Sequence, residues 1–475
     1  MEISRRTFIK ASAVTAIGIS QTFETSAINK AIAAEMNEQN LRRDIALLPA
    51  DATEIRAYQR AVGIMKSLPA DDKRSWAYQA KIHDMFCPHN NWWFLPWHRA
   101  YLFYFESICQ DLLSDQSFRL PYWDWTKDTS VPAPFWDKNS PLYHQNRRAT
   151  PNSQISQETT GPKVITRIIN SPLDFTLYSG NTNTDNQRER AFAGLLESTP
   201  HNGIHQFIGG TMSTFLSPED PVFWLHHANV DRLWRSWSKL HEHRAFSENL
   251  WKKHELKSFF DSKTGKEINP ITESTNDYKK FNAEYERLEA LAPQSPPTQR
   301  ELIRPTSKFL NDKSFRRVSA ILGKTSEKAN AGSFFLNVGS AFQGSIDEAI
   351  QPFSVSAPQP QENAILMKIE GIDRTADDVS LRIFINCENP STQTPIGSPS
   401  YVGTINFFAD KHGDHTLKSN FIYDCTETFA NLKQAGLYDS QDKIKVSLVP
   451  INTNNPDEPL LLNDVKPERI TFIGL

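Results

Sequence analysis

The chain has 475 residues, of which 39% are hydrophobic and 11% aromatic, with 52 basic side chains against 55 acidic ones. That length allows two domains with a sizeable core, and the near-balanced charge gives no reason to seek nucleic acid. No apolar run reaches the roughly 18 residues of a membrane helix, and four cysteines are too few to staple so long a chain.

The N-terminus carries SRRTFIK (Ser4 to Lys10), then the modestly apolar ASAVTAIGIS and small residues around Ala31 to Ala33. This pattern reads as a twin-arginine (Tat) export signal spanning residues 1–33, so a periplasmic or secreted location is expected. Its removal would leave 48 basic and 53 acidic residues, a net charge of −5.

Helical patterning dominates residues 34–256. AYQRAVGIMKSL, the run from Pro96 to Leu113, RAFAGLLES and VDRLWRSWSKLHEH all repeat apolar residues every three or four positions. A helix bundle is predicted, and bundles build metal sites from side chains on facing helices. Six histidines fit that scheme. His83, His89 and His98 lie in IHDMFCPHNNWWFLPWHRAY, while His201 and His205 lie in HNGIH and His227 in DPVFWLHHANVDRLW.

Neutral imidazoles without a carboxylate ligand suit copper, whereas magnesium and calcium prefer oxygen. A zinc hydrolase helix would place glutamate beside its first histidine, but Asn202, Gly203 and Ile204 separate His201 from His205. Four positions apart on a helix, these two rings project from one face about 6 Å apart and can close on one ion. His226 and His227 are adjacent and point about 100° apart, so one must be chosen. Asp231, one turn after His227, stands where a carboxylate could orient a ligand ring. That selects His227 as ligand and leaves His226 beside the site. The remaining histidines, His144, His241, His243, His254, His412 and His415, lack such context and read as surface groups.

From 257 to 330 the pattern weakens, with APQSPP (Ala292 to Pro297) marking a linker. Residues 331–475 turn to short β-rich runs, among them ENAILMKIEGI, SLRIFINCEN, YVGTINFFAD and DKIKVSLVPI, which predict an all-β sandwich or barrel. The fold class is therefore α+β multidomain, a mainly α-helical metal-binding core followed by a β domain. Cys109 lies on an apolar helix face and reads as packing. Cys387 and Cys425 both fall in the β region, and the sequence leaves their pairing open.

Three strings carry a resemblance. FLPWHRAYLFYFE around His98, LPYWDW (Leu120 to Trp125) and DPVFWLHHANVDRLW resemble the type-3 copper family of tyrosinases, catechol oxidases and plant polyphenol oxidases. The resemblance implies a dinuclear site, with His83, His89 and His98 holding copper A and His201, His205 and His227 holding copper B. It also implies a thioether between Cys87 and His89, small phenols and O2 as reactants, and a β domain that covers the site mouth until cleavage within 300–335.

Family members oxidise o-diphenols to o-quinones, and tyrosinases first hydroxylate monophenols. Presenting a phenolate at neutral pH costs about 4 kcal/mol for a phenol of pKa near 10. By resemblance, Glu197 and Asn202 would polarise a water near copper B that takes this proton. Phe215 corresponds to a substrate gate, and Gln206 to a position facing the pocket. The expected function is that of a tyrosinase. The alternatives are a catechol oxidase without monophenolase activity and a non-catalytic O2-binding dicopper protein.

Overall fold

The computed structural model describes residues 41–170, 175–181, 192–241, 249–289, 317–321, 332–337, 365–373, 378–408, 418–438, 443–453, 455 and 467–474. The twin-arginine segment, His243, His412, His415 and the 300–335 cleavage window, apart from 317–321 and 332–335, lie outside these residues.

The helical part is built on α1 (Thr53–Ser67), α2 (Trp76–Phe86), α3 (Phe94–Leu113), α4 (Pro162–Asn170), α5 (Asn202–Ile208) and α6 (Val222–Leu240). Local signals set the helix ends. Ser75 caps α2 by accepting the Tyr78 N–H at 3.1 Å, and Ser114 stops α3 in a left-handed conformation with φ of 53°. Both α3 and α6 are buried over most of their length, because helices, loops and the segment 256–285 surround them.

That segment departs from the sequence expectation. Residues 257–289 were expected to form part of a linker, yet Phe259, Phe260, Phe281, Ala283 and Tyr285 pack in the helical core. The β hairpin of β3 (Phe259–Phe260) and β4 (Glu267–Ile268) is too short to have shown a period of two. The first strand of the β part, β5 (Arg317–Ile321), also begins ahead of 331.

The β part contains β5, β6 (Gly332–Asn337), β7 (Ile365–Ile372), β8 (Val379–Ile385), β9 (Tyr401–Ile405), β10 (Ser419–Asp424), β11 (Lys443–Asn452) and β12 (Arg469–Gly474). One sheet runs β10-β7-β12-β5 and is extended by β1 (Gly180–Asn181) and β2 (Phe192–Ala193) of the helical part, with β2 parallel to β10. The other runs β6-β11-β8-β9. Ile365, Met367 and Ile369 of the first sheet share one apolar cluster with Leu381, Ile383 and Ile385 of the second, so the layers form a sandwich. Strand β8 is buried on both faces. Leu381, Ile383 and Ile385 fill the sandwich, and Ser380 and Arg382 turn the opposite way, onto the helical part.

A buried charge network ties the start of the described chain to the core. The Arg42 guanidinium donates to Glu106 at 3.2 Å and to Tyr285 Oη at 2.8 Å. Tyr285 Oη in turn donates to Asp231 at 2.6 Å, and Arg99 Nε donates to the other Asp231 oxygen at 2.7 Å. Removing one partner of such a set leaves a buried charge uncompensated. Asp231→Ala is accordingly expected to destabilise the core by about 3–5 kcal/mol, read as a fall in the urea midpoint followed by tryptophan fluorescence.

Candidate metal centre

The histidines reach the centre from four helices and one loop. His83 stands near the end of α2, where the Cys87 N–H closes the helix on the His83 carbonyl at 3.1 Å. His89 lies in the loop that follows, and His98 sits in the second turn of α3. His201 caps α5, which also carries His205, while His226 and His227 lie in α6. All seven rings are buried.

The rings gather into two groups. Ligand atoms of His83, Cys87, His89 and His98 lie within 4.8 Å of one another, as do those of His201, His205, His226 and His227. The groups meet directly, since the His98 and His227 rings stack at 4.2 Å with 12° between their planes. No carboxylate belongs to either group.

Hydrogen bonds decide which ring nitrogen faces inward. The Nδ1 atoms of His83, His98 and His205 meet the carbonyl oxygens of Phe215 (2.6 Å), Phe94 (2.8 Å) and Met212 (2.6 Å). His89 Nδ1 meets Glu197 Oε1 at 3.0 Å, and His201 Nδ1 meets Asn202 Oδ1 at 2.8 Å. A carbonyl or carboxylate oxygen only accepts, so Nδ1 carries the proton and Nε2 presents its lone pair. His227 Nε2 lies 3.3 Å from His201 Nε2 and 3.4 Å from His205 Nε2, so these three lone pairs converge. Burial, reinforced by neighbouring imidazoles, holds His89, His98, His201, His205, His226 and His227 well below the ordinary histidine range. Neutral rings with inward lone pairs are what a metal requires. The two buried histidine groups fit a dinuclear copper site.

Several expected partners stand elsewhere. Asp231 does not orient His227, because its oxygens are taken by Arg99, Tyr285 and Arg42, and His227 Nδ1 has no hydrogen-bond partner among the described residues. Glu197 was expected beside the second group, yet its carboxylate serves the first, accepting from His89 Nδ1 and from the Asn90 N–H at 2.7 Å. Its Oε2 is buried without a hydrogen-bond partner among the described residues. Burial drives the Glu197 carboxyl well above its usual range, partly opposed by the Asn90 N–H. His226 stacks on His201 at 5.2 Å, and its Nδ1 accepts from the Trp125 indole of LPYWDW at 3.2 Å.

Gln206 faces a β strand rather than an open pocket. It donates to the Val379 carbonyl at 3.2 Å and accepts from Ser380 at 2.9 Å, so β8 covers it. Phe215 packs at 6.1 Å from His83 and 5.5 Å from His89. Cys87 is buried, with Sγ 3.4 Å from His98 Nε2. Cys387 and Cys425 are both thiols, the first packed beside Phe384 and Val449 and the second inside the sandwich. His254 stacks on Trp93 at 4.0 Å, and His144 donates to or accepts from Thr211 at 2.8 Å, so neither is a plain surface group.

One residue at the centre was absent from the sequence reading. Phe408, just past β9, lays its ring 4.1 Å from His89, 4.6 Å from His205 and 5.4 Å from Phe215. The signal was the Phe-Phe pair in YVGTINFFAD. Phe407 is buried in the sandwich, and its neighbour must face the other way. Polar contacts hold this strand down: Asn202 donates to the Asn406 carbonyl at 3.0 Å, and Asn406 Nδ2 donates to Thr199 Oγ1 at 3.2 Å. Nearby, Arg382 forms a two-pronged pair with Glu158 at 2.8 and 2.9 Å.

Comparison with known proteins agrees with this geometry. Residues 58–164 and 136–240 match the family model "Common central domain of tyrosinase". A chloroplastic polyphenol oxidase of Malus domestica is 32% identical over 225 residues, 38% of each chain, and (+)-larreatricin hydroxylase of Larrea tridentata is 31% identical over 45% of this chain and 44% of its own. The match thus spans about two fifths of those plant proteins. A tyrosinase of Hahella sp. (strain CCB-MM4) is 26% identical over 84% of this chain and 93% of its own length. Among solved structures, latent apple tyrosinase aligns with a TM-score of 0.63 at 22% identity, covering 91% of this chain and 95% of that one, which shows the shared two-part fold. With its two facing histidine groups and its match over residues 58–240, the helical part of the chain belongs to the type-3 copper family of tyrosinases and polyphenol oxidases, and its junction to a β sandwich is the fold of latent apple tyrosinase.

Proposed function

We propose that this chain is a tyrosinase, which uses O2 to hydroxylate small monophenols to o-diphenols and to oxidise these to o-quinones. The observation that carries the reading is the pair of facing imidazole groups, each with lone pairs turned inward and with no carboxylate among them. In this reading His83, His89 and His98 hold copper A, and His201, His205 and His227 hold copper B. The copper pair, when bound, supplies the exchange of electrons with O2 and the phenol.

His227 is assigned over His226 because its Nε2 converges with those of His201 and His205, whereas Trp125 engages His226 on its Nδ1. His227→Ala is expected to lower copper from two ions per chain to about one, and His226→Ala to leave two, measured by elemental analysis of the purified protein. Cys87, two residues before His89 in Cys-Pro-His, is assigned the thioether to His89. A tryptic peptide lighter by two hydrogens would support it, and a free thiol at Cys87 in the copper-loaded protein would overturn it.

Hydroxylation needs an acceptor for the phenol proton, and Glu197 Oε2 is a buried carboxylate oxygen beside the centre with no other hydrogen bond among the described residues. Asn202 holds the His201 ring by its amide oxygen and so fixes one wall of the site. A second reading, a catechol oxidase, is favoured by the ties of Glu197 to His89 and Asn90 and by the burial that pushes its carboxyl towards the neutral form, which takes no proton. Glu197→Gln keeps the size of the side chain and separates the two. If Glu197 is the base, oxygen uptake with tyramine falls by about 10²-fold while 4-methylcatechol oxidation falls far less. Equal losses at unchanged copper content would make Glu197 only the orienter of His89.

Phe408 fills the space above His89 and His205, so the full-length chain is read as latent. Proteolytic trimming that removes the β part is expected to raise catechol oxidation. Phe408→Ala should raise it in the untrimmed chain, with no further gain from that substitution after trimming. Oxygen uptake before and after a protease time course measures both.

A further inference from the structure

Along α2, with none of the histidines of the metal centre in its lining, runs an open groove of about 430 Å³. Helix α2 supplies Tyr78, Ile82, Met85 and Phe86, and the other wall is Phe259 and Phe260 of the β3–β4 hairpin. Met85 and Phe86 are 46% and 39% exposed, two consecutive large apolar side chains immediately before Cys87. Isolated exposed apolar residues are ordinary, whereas this contiguous pair lines a concave surface on which a ring could lie.

Charge defines what the groove would take. Lys73, Lys81 and Lys257 line it against a single carboxylate, Glu267, in a chain whose net charge is −3. All three lysines are exposed, and none forms an ion pair among the described residues. Lys73 is held in place, donating to the Gly265 carbonyl at 3.0 Å with its ammonium 5.5 Å over the Phe260 ring. Ser258, also in the lining, has a φ of 78°, a left-handed conformation that a serine adopts only under constraint. The volume lies within the range of small-molecule sites.

We propose that this groove binds a small aromatic anion of one or two rings, its ring laid on Met85 and Phe86 and its acid group held by the rim lysines. The site is separate from the copper centre, so its occupancy does not depend on the assignments made there. The test uses the copper-loaded full-length chain and titrates naphthalene-2-sulfonate, with naphthalene-2-sulfonamide as the neutral counterpart, by isothermal calorimetry.

Wild-type protein should bind the sulfonate at one site, about tenfold or more tighter than the sulfonamide, and the preference should shrink as salt is raised. Lys81→Glu combined with Lys257→Glu should remove the preference for the anion, and Phe86→Ala should weaken both ligands. The urea midpoint of the full-length double variant should stay at the wild-type value, which certifies its fold. Failure of the wild type to show saturable binding would overturn the proposal, as would equal affinity for the sulfonate in the wild type and the lysine double variant.

Discussion

The structure depends on the hydrogen bonds that turn the imidazoles inward. A buried histidine with both nitrogens unconstrained can present either tautomer, so an oxygen on Nδ1 fixes the ring as a ligand, and five of the six assigned ligands have one, His227 being the exception among the described residues. In this chain three of those oxygens are backbone carbonyls, of Phe94, Phe215 and Met212, and two are side chains, of Asn202 and Glu197. The carbonyls come from different sources. Phe94 belongs to the same helix as His98, where i and i−4 adjoin, whereas Phe215 and Met212 lie in the irregular stretch between α5 and α6. That stretch therefore serves as a scaffold for both groups of rings, and its path matters as much as the helices do.

Legibility followed the range of the interaction. The six ligand candidates were readable because metal chemistry restricts residue type, and helix geometry places His201 and His205 on one face. The partners of those ligands were not. Asp231 has the right spacing from His227, but a carboxylate buried beside Arg99, Arg42 and Tyr285 is claimed by charges brought from residues far away in sequence. The same limit applies to Glu197, where spacing suggested the nearer group and the fold delivers the carboxylate to His89, 108 positions away. Of the β part, the class was legible from alternation in strings such as SLRIFINCEN. Its boundary was not, because residues 257–289 pack by aromatic contacts that have no period.

The seam between the two parts shows how a strand can serve two cores at once. In β8 the alternation of side chains sends Leu381 and Ile383 into the sandwich and Ser380 and Arg382 to the helices, so its burial on both faces is reached without an unpaired charge. Arg382 meets Glu158, and Thr404 of β9 donates to the same carboxylate at 2.8 Å. These are short-range polar contacts, each modest against its loss of hydration. An interface of this kind can hold a cover in place and still let it go once the chain connecting it is cut.

Gly203 makes that closure sterically possible. It lies between His201 and His205 on α5, and a methyl group there would come within 2.4 Å of Thr159 Cγ2 and 3.2 Å of Asn406 Nδ2. The hydrogen atom in its place lets Asn406 reach Thr199 and lets the Asn202 amide reach the Asn406 carbonyl. Both contacts hold down Asn406, two residues before Phe408. The ring over His89 and His205 is thus positioned by a chain of contacts that begins at a missing side chain within HNGIH, the segment that also supplies two of the histidines. Metal binding and covering of the site are consequently written into the same five residues. A substitution at Gly203 would disturb the cover without touching a ligand atom, whereas one at His201 or His205 would act in the opposite order.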